Sequence, residues 1–417
     1  MDAPPANAAP APDPRRRILL RAIAIGVPLA LIAALLVAVF NFSSVYLRYR
    51  ASRLGVSLAF DEHEVRGDVV TLRRARAGLS GVDGLTITAD SVKLTTKGTR
   101  VTSVDAAGVV ISLEGSATDR VLELSSWSAE HPDTYRLRGS ASDVRLTWRV
   151  EDGAAPWLTV SDGSITSDGK SGELSAGAAS VGGVALGKVS SSFTSDATGV
   201  RLAIGKTKSA EAPITARLTT SPKPPRVDLA LRPVKLESLS AALGLALPAP
   251  GATAQGRVEL TLGKRGGAEA IEGRAELTLD GYLPPHPREL GPLLAGKKTA
   301  LSARVAIAAD RSRVTLSEVI TRAGKLELKG AGAVVRAGKH ATLKLDLRGP
   351  IACADLARSA AKDRFGLLGE LVGDAASGAV AGTVTVDVTV EADSRDLRAV
   401  KVKHRAGVGC GLKVPGF

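Results

Sequence analysis

The segment Gly382-Thr-Val-Thr-Val-Asp-Val-Thr-Val-Glu391 alternates apolar and polar residues with a period of two. Successive side chains of a β-strand point to opposite faces of a sheet, so Val384, Val386, Val388 and Val390 share one face. Threonine and acidic side chains occupy the other face. The stretch therefore predicts a strand with one apolar side and one side in water.

The same alternation recurs along the chain from about Leu85 to Val402. Turns rich in glycine, aspartate and serine, such as Gly81-Val-Asp-Gly84, separate the segments, as is typical of strands joined by short connections. We expect a meander of successive antiparallel strands. A sheet of that length must cover its apolar face, curl around it or offer it to a ligand.

Composition and charge narrow the classes of protein that fit this chain. Aromatic residues make up 3% of its 417 residues and glycine is plentiful at 44, which suits thin β structure. The net charge of +13 fits solvated strand faces and basic membrane flanks, or attraction to anionic envelope polymers and lipid headgroups. No basic run is interleaved with stacking aromatic residues, so we expect no nucleic-acid partner.

An uncharged apolar run at Ala22–Phe40 is long enough to span a bilayer as a helix. No cleavage site of small residues follows it, which favours a retained signal anchor over a cleaved signal peptide. Arginines flank the run on both sides, and those before it indicate a cytoplasmic N-terminus. They are Arg15, Arg16, Arg17 and Arg21 before the run, and Arg48, Arg50 and Arg53 after it. We therefore expect a single-pass protein of the bacterial inner membrane with most of its chain in the periplasm.

The sequence predicts five parts in chain order. Residues 1–17 form a disordered cytoplasmic stub, 18–42 the transmembrane signal anchor, and 43–55 a juxtamembrane helix that ends at Gly55. Two periplasmic β regions follow at 56–220 and 221–417, separated by the proline-rich segment at 221–225. Two short helices are predicted within the second region, at Lys235–Leu247 and Ala352–Val372.

The chain contains two cysteines, Cys353 and Cys410. No CxxC pair and no cluster of cysteine and histidine accompanies them, so we expect no zinc site. In an oxidising compartment the two can form a disulfide that closes a large loop. The alternative is a pair of buried free thiols.

Several short motifs resemble catalytic or nucleotide-binding sites but lack the required context. The segments Gly182–Lys188 and Gly291–Lys297 approach a P-loop, yet neither has serine or threonine after the lysine. Ser167 and Lys170 have SxxK spacing but lie in a turn rich in serine, glycine and aspartate. We therefore predict a protein that is not an enzyme and that needs no cofactor or metal.

The whole pattern resembles the AsmA-like family of bacterial envelope proteins over most of residues 15–405. The segments that carry the resemblance are Gly273-Arg-Ala-Glu-Leu-Thr-Leu-Asp-Gly281, Gly324-Lys-Leu-Glu-Leu-Lys-Gly330, Leu343-Lys-Leu-Asp-Leu-Arg-Gly-Pro350 and the strand at 382–390. The resemblance implies an inner-membrane anchor and a periplasmic β-groove that shields lipid acyl chains or supports outer-membrane assembly. The fold that we predict is mainly β: an N-terminal transmembrane helix, then a long, curved antiparallel sheet shaped as a groove, with two short helices.

Two hypotheses of function follow. In the first, the groove binds acyl chains of a phospholipid or another envelope lipid, because buried methylene groups partition out of water. The residues predicted to line the groove are Val258, Leu260, Leu277, Leu279, Leu343, Leu345, Val386 and Val388. In the second, the protein is a non-catalytic anchor or scaffold for a cell-wall synthase or another envelope-assembly protein, and its apolar face is covered by its own helices or by that partner.

Overall fold

The computed structural model describes residues 44–98, 100–132, 138–196, 198–205, 212–243, 247, 251–282, 298–365, 374, 376–407 and 409–412. The predicted cytoplasmic stub and the predicted signal anchor at 18–42 lie outside these residues. Within the described part, no helix is both long enough and apolar enough to cross a bilayer.

The described chain is mainly β, as the period-two pattern predicts. The strands are β1 (Val56–Ala59), β2 (Glu62–Arg66), β3 (Val69–Leu79), β4 (Leu85–Lys97), β5 (Arg100–Ala107), β6 (Val110–Glu114), β7 (Arg138–Arg149), β8 (Leu158–Ser167), β9 (Ser171–Ala176), β10 (Ala178–Val181), β11 (Val184–Leu186) and β12 (Val189–Asp196). They continue with β13 (Gly199–Ile204), β14 (Ile214–Thr219), β15 (Arg226–Lys235), β16 (Thr253–Arg265), β17 (Ala268–Asp280), β18 (Lys298–Ile307), β19 (Arg313–Ala323), β20 (Leu326–Ala337), β21 (His340–Ala352), β22 (Val380–Asp393), β23 (Asp396–Ala406) and β24 (Cys410–Leu412).

Three helices correspond to predicted ones. Helix α1 covers residues 44–53, within the predicted juxtamembrane helix, and ends before Gly55, whose φ of 71° suits the residue after a helix C-terminus. Helix α3 (Leu236–Leu243) and helix α4 (Cys353–Phe365) lie within the two predicted short helices. A further helical stretch at residues 376–379 precedes β22.

Helix α2 (Ala117–Glu130) corrects the prediction that only two short helices follow the juxtamembrane segment. Ser116 caps it: its side-chain oxygen accepts a hydrogen bond from the Asp119 backbone nitrogen at 3.1 Å. The negative charge of Asp119 in the first turn also stabilises the helix, because it interacts favourably with the positive end of the helix dipole. A short capping signal, Ser116-x-x-Asp119, stands at the start of the helix among strand-like segments, and the sequence-based prediction missed it.

All 24 strands belong to one continuous hydrogen-bonded network. From β12 to β22 each strand pairs antiparallel with the next, which is the predicted meander. The prediction of a wholly antiparallel sheet is wrong at β7, which pairs in parallel with both β5 and β6. Helix α2 lies between β6 and β7 in the chain, and a crossover of that length returns the chain in the parallel direction.

The predicted division at residues 220 and 221 falls in the loop between β14 and β15. These two strands pair directly, with Thr219 opposite Arg226 and Ile214 opposite Leu231. The sheet therefore runs without interruption from one predicted β region into the other.

Contacts between strands far apart in the sheet show that the sheet curls. Arg336, at the end of β20, donates a hydrogen bond of 2.7 Å to the carbonyl oxygen of Pro156, which lies between β7 and β8. Gly183, between β10 and β11, packs against the backbone of His340, where a Cβ atom would lie 3.0 Å from the carbonyl oxygen. The apolar side chains lie on the inner face of the resulting curve, which we call the concave face.

Candidate functional site

The concave face of β16–β22 is formed by apolar residues that face one another across neighbouring strands. Val258 lies opposite Ala275, and Leu277 lies opposite Leu301. On the other side of the curve, Leu347 lies opposite Val388. The period-two pattern thus places all eight predicted groove residues on a single face.

The eight residues differ in how far they are covered. Leu345 and Val386 are 6% and 2% exposed, whereas Leu277 is 37% exposed. The other five are half-buried: Val258, Leu260, Leu279, Leu343 and Val388. The concave face is therefore filled near β20–β22 and accessible near β16–β17.

Apolar clusters explain this difference. Leu345 packs with Val319 and Leu328 of neighbouring strands, and Val386 packs with Ile351 and with Cys353 at the start of α4. Neighbouring strands, together with the start of α4, thus bring these side chains together. The predicted groove at this end is a packed core, which sequence periodicity could not distinguish from an open surface.

Glycines allow the packed part of the concave face to close tightly. A Cβ atom on Gly332 would lie 2.5 Å from a Cδ atom of Leu345, and one on Gly349 would lie 2.8 Å from a Cδ atom of Leu328. Each leucine therefore covers the glycine of the neighbouring strand. Any larger residue at the glycine would displace the leucine.

Helices cover the two ends of β16 and β17 on the concave face. Ala117 of α2 packs with Leu262 and Ile271, and Leu260 joins this cluster. Toward the opposite end of the strands, Leu236 and Leu239 of α3 are buried in a cluster that Leu279 joins. Burial there also raises the pKa of the Tyr282 hydroxyl above its ordinary value.

Between the two helix-covered ends, the concave face is open. Val258 and Leu277 belong to none of the apolar clusters formed by the described residues. Their neighbours across the strands include small residues, Gly256 opposite Leu277 and Ala275 opposite Val258. We call this surface of Gly256, Val258, Ala275 and Leu277 the apolar window.

The convex face carries the polar half of the pattern. Glu276, Lys344 and Asp387 are exposed there, as predicted from their alternation with the apolar residues. Ion pairs run between neighbouring strands of this face, for example Arg304–Glu318 at 2.8 Å and Arg348–Asp387 at 3.3 Å. Such exposed pairs add little stability, so this face serves mainly to keep the sheet in water.

A buried polar cluster fastens α2 to the turns of the curved sheet. Glu269 of β17 accepts hydrogen bonds from the backbone nitrogen and the hydroxyl of Thr118, at 2.7 and 2.9 Å. The same carboxylate forms an ion pair of 2.7 Å with Arg311, whose guanidinium lies 5.9 Å from the centre of the Trp157 ring. This arrangement could not be predicted from the sequence, because its members come from four separate segments.

Cys353 and Cys410 are joined by a disulfide with an Sγ–Sγ distance of 2.03 Å. Cys353 begins α4 and is buried beside Ile351 and Val384, while Cys410 lies on β24, which pairs with the start of β22. The disulfide thus ties the last described strand to the end of the sheet where α4 lies.

Two of the three motifs that resemble catalytic or nucleotide-binding sites have turns among the described residues. Ser167 and Lys170 belong to the β8–β9 hairpin, where Asp168 accepts hydrogen bonds from the backbone nitrogens of Lys170 and Ser171 at 2.9 and 2.7 Å. These bonds lower the pKa of Asp168 to about 2. Gly182 lies in the β10–β11 turn with φ of 59°, and the segment at 291–297 lies outside the described residues. Within the described part, no cluster of side chains is suited to a metal ion.

A large cavity among the described residues lies away from the predicted groove, beside α1. Its volume is about 1280 Å³, and its walls come from α1, the β2–β3 hairpin, the β4–β5 hairpin and the start of β7. We call it the basic cleft, because its lining includes Arg50, Arg53, Lys97, Arg100 and Arg138. Sequence reasoning missed it, since these cations come from three separate places in the chain.

Comparison with known proteins returned no match: no family model, no curated protein and no solved structure is detectably similar to this chain.

Proposed function

We propose that this protein is anchored in the bacterial inner membrane and binds the acyl chains of a phospholipid or another envelope lipid on its periplasmic concave face. The proposal includes membership of the AsmA-like group, to which the sequence pattern is similar. Groove binding of this kind involves partition alone, so the proposed activity requires no catalytic residue, metal or cofactor.

The apolar window is the observation that carries the proposal. An apolar side chain on a concave face is normally covered by the protein's own core, as Leu345 is at 6% exposure. Leu277 lies on the same face and remains 37% exposed. A concave, partly exposed apolar surface between two helix-covered ends has the form of a binding site for an elongated apolar ligand.

Elementary energetics indicate that the window could hold part of an acyl chain. Each methylene group removed from water contributes about 0.8 kcal/mol. Val258 and Leu277 present the apolar surface, and Gly256 and Ala275 leave room above the sheet because they carry no side chain or only a methyl group. A chain that also extends over the half-buried Leu301 and Leu343 would gain further contact.

Photo-crosslinking tests the proposal with neighbouring residues of one strand. A crosslinking amino acid at Leu277 should capture lipid in cells, whereas the same group at Glu276 should not, because adjacent strand residues point to opposite faces. Leu277→Gln should also reduce lipid capture by a crosslinker at Val258. Equal labelling at Leu277 and Glu276, or none at either, would refute acyl-chain binding at the window.

A scaffold for a cell-wall synthase or another envelope-assembly protein is the second candidate. The observation that favours it is the packed state of the concave face at β20–β22, where Leu345 is already covered by neighbouring strands and Val386 by a cluster that includes Cys353 of α4. In that case the window would be a contact surface for a partner protein. Crosslinkers at Leu277 would then capture a single envelope protein in place of lipid.

A further inference from the structure

The basic cleft has apolar walls as well as basic ones. Leu47 of α1 and Leu54, directly after it, line one side, and Val70, Leu94 and Val101 of the two hairpins line the other. Its volume of about 1280 Å³ exceeds the roughly 300–1,000 Å³ that is usual for small-molecule sites. The cleft therefore has room for a large ligand with both an apolar and a polar part.

The charge of the cleft favours an anion. Its five cations are exposed, and none of the described residues that line it is acidic. Within the described part of the chain, Arg53, Lys97 and Arg100 form no ion pair. Cations left without acidic partners around a partly apolar cavity create a positive potential that attracts a negatively charged group.

A second and independent observation concerns the surface around the cleft. The described residues include eight large hydrophobic side chains that are exposed. Two of them, Tyr46 on α1 and Val65 on β2, line the cleft, and two more, Val45 and Tyr49, lie on the same helix α1. Tyrosine, valine and arginine together on a short helix suit the boundary between lipid headgroups and acyl chains. This group of exposed apolar residues on α1 and at the rim of the cleft indicates contact with a lipid surface.

We propose that the basic cleft binds the phosphate-bearing headgroup of an anionic phospholipid, with the first part of its acyl chains against Leu47, Val70 and Leu94. This inference rests on the proposed lipid-binding function and deepens it, because it assigns a lipid class and the place where the headgroup is held. Arg53, Lys97 and Arg100 contact the phosphate and any further negative charge of the headgroup.

Helix α2 connects the cleft's surroundings to the concave face. At its C-terminal end, the Trp127 indole nitrogen donates a hydrogen bond of 2.8 Å to the carbonyl oxygen of Gly55, directly after α1. At its N-terminal end, Thr118 bonds Glu269 of β17 at 2.7 Å. A single helix thus contacts both the segment that forms one wall of the cleft and the strand that carries Leu277.

Native mass spectrometry of the full chain in a neutral detergent tests the inference. Phosphatidylglycerol and phosphatidylcholine with identical acyl chains are offered together, and the bound lipid is identified. The wild type should retain phosphatidylglycerol preferentially. In the triple variant Arg53→Gln/Lys97→Gln/Arg100→Gln, the ratio of bound phosphatidylglycerol to bound phosphatidylcholine should fall at least tenfold. Each basic residue near an anionic lipid contributes roughly fivefold in affinity.

A control variant of equal charge separates the cleft from general charge effects. Arg226→Gln/Arg274→Gln/Arg313→Gln removes three exposed cations of the sheet and should leave the preference unchanged. Equal losses in both triple variants, or competition by inorganic phosphate at millimolar concentration, would overturn a phospholipid headgroup site. Binding of both lipids without preference would refute the headgroup site alone, whereas binding of neither lipid would refute the proposed function itself.

Discussion

Glu269 and Arg311 form an ion pair of 2.7 Å in which the two side chains are 3% and 1% exposed. Among the ion pairs between described residues, it is the one that is almost wholly removed from water. It joins β17 to the turn between β18 and β19, and Glu269 also bonds Thr118 at the start of α2. The pair therefore holds the helix that covers one end of the apolar window.

Removal of one partner from this pair should destabilise the protein strongly. Arg311→Met leaves a buried carboxylate, and Glu269→Gln leaves a buried guanidinium, and either change is expected to lower the free energy of unfolding by about 3–5 kcal/mol. The double variant should lose less than the sum of the two, which chemical denaturation can measure as a double-mutant cycle.

The exposed pair Arg304–Glu318 is the control, because its separation of 2.8 Å is close to the 2.7 Å of the buried pair. Arg304→Ala should change the free energy of unfolding by no more than about 1 kcal/mol. If the Arg311 and Arg304 variants lost the same amount, burial would not be the source of the stability of the Glu269–Arg311 pair.

The attachment of α2 should weaken in acid. Asp119 forms an ion pair of 2.8 Å with Lys264, and the hydrogen bond from Lys264 is the largest of the effects that lower the pKa of Asp119 below its model-compound value of 3.8. Because the folded-state pKa is the lower one, the contribution of this carboxylate is present above about pH 4 and is lost as the pH falls through the folded-state pKa.

Tryptophan fluorescence can report this acid transition locally. The chain's three tryptophans are Trp127 on α2, and Trp148 and Trp157, whose rings pack edge to face 5.3 Å apart beside the helix. In the Asp119→Asn variant, stability should be lower at neutral pH and should depend less on pH below 4. A wild-type and a variant curve of identical shape would contradict a role for Asp119.

Gly332 should tolerate no side chain, in contrast to Gly263. A Cβ atom on Gly332 would lie 2.3 Å from the Lys344 carbonyl oxygen and 2.5 Å from a Cδ atom of Leu345. On Gly263 the nearest atom would be the Ala270 carbonyl oxygen at 3.7 Å, an ordinary contact. Gly332→Ala is expected to cost about 1–3 kcal/mol of stability, and Gly263→Ala should be neutral or slightly stabilising. Similar melting temperatures for the two variants would show that Leu345 does not need to cover Gly332.

Much of the strand content could be predicted because period-two alternation is a local property. Val384–Val390 form part of β22 for the reason that the sequence suggests, namely that valine on one face and polar residues on the other suit a half-buried strand. Helix α1 was also predictable, since Gly55 marks its end. Helix α2 shows the limit, because its capping signal at Ser116 is short and lies among strand-like segments.

The sites were less predictable because they depend on what covers each surface. Leu277 and Leu345 occur in similar alternating sequences, yet one is exposed and the other is buried. The difference arises from the curl of the sheet and from the positions of α2 and α3, which are distant in sequence. Glu269 and Thr118, 151 residues apart, likewise resemble surface residues until the fold brings them together.

The disulfide gives the last prediction. It closes a loop with a sequence separation of 57 residues, for which the chain-entropy model gives a stabilisation of about 4 kcal/mol. The double variant Cys353→Ser/Cys410→Ser should therefore unfold at lower denaturant concentration than the oxidised wild type. A reductant should lower the wild-type midpoint toward that of the variant and leave the variant unchanged. Thiol labelling of the unfolded, unreduced protein should modify neither cysteine, because both belong to the bridge. Labelling of both cysteines, or a wild-type midpoint that does not respond to reductant, would show that the bridge is absent from the protein as it is made in cells.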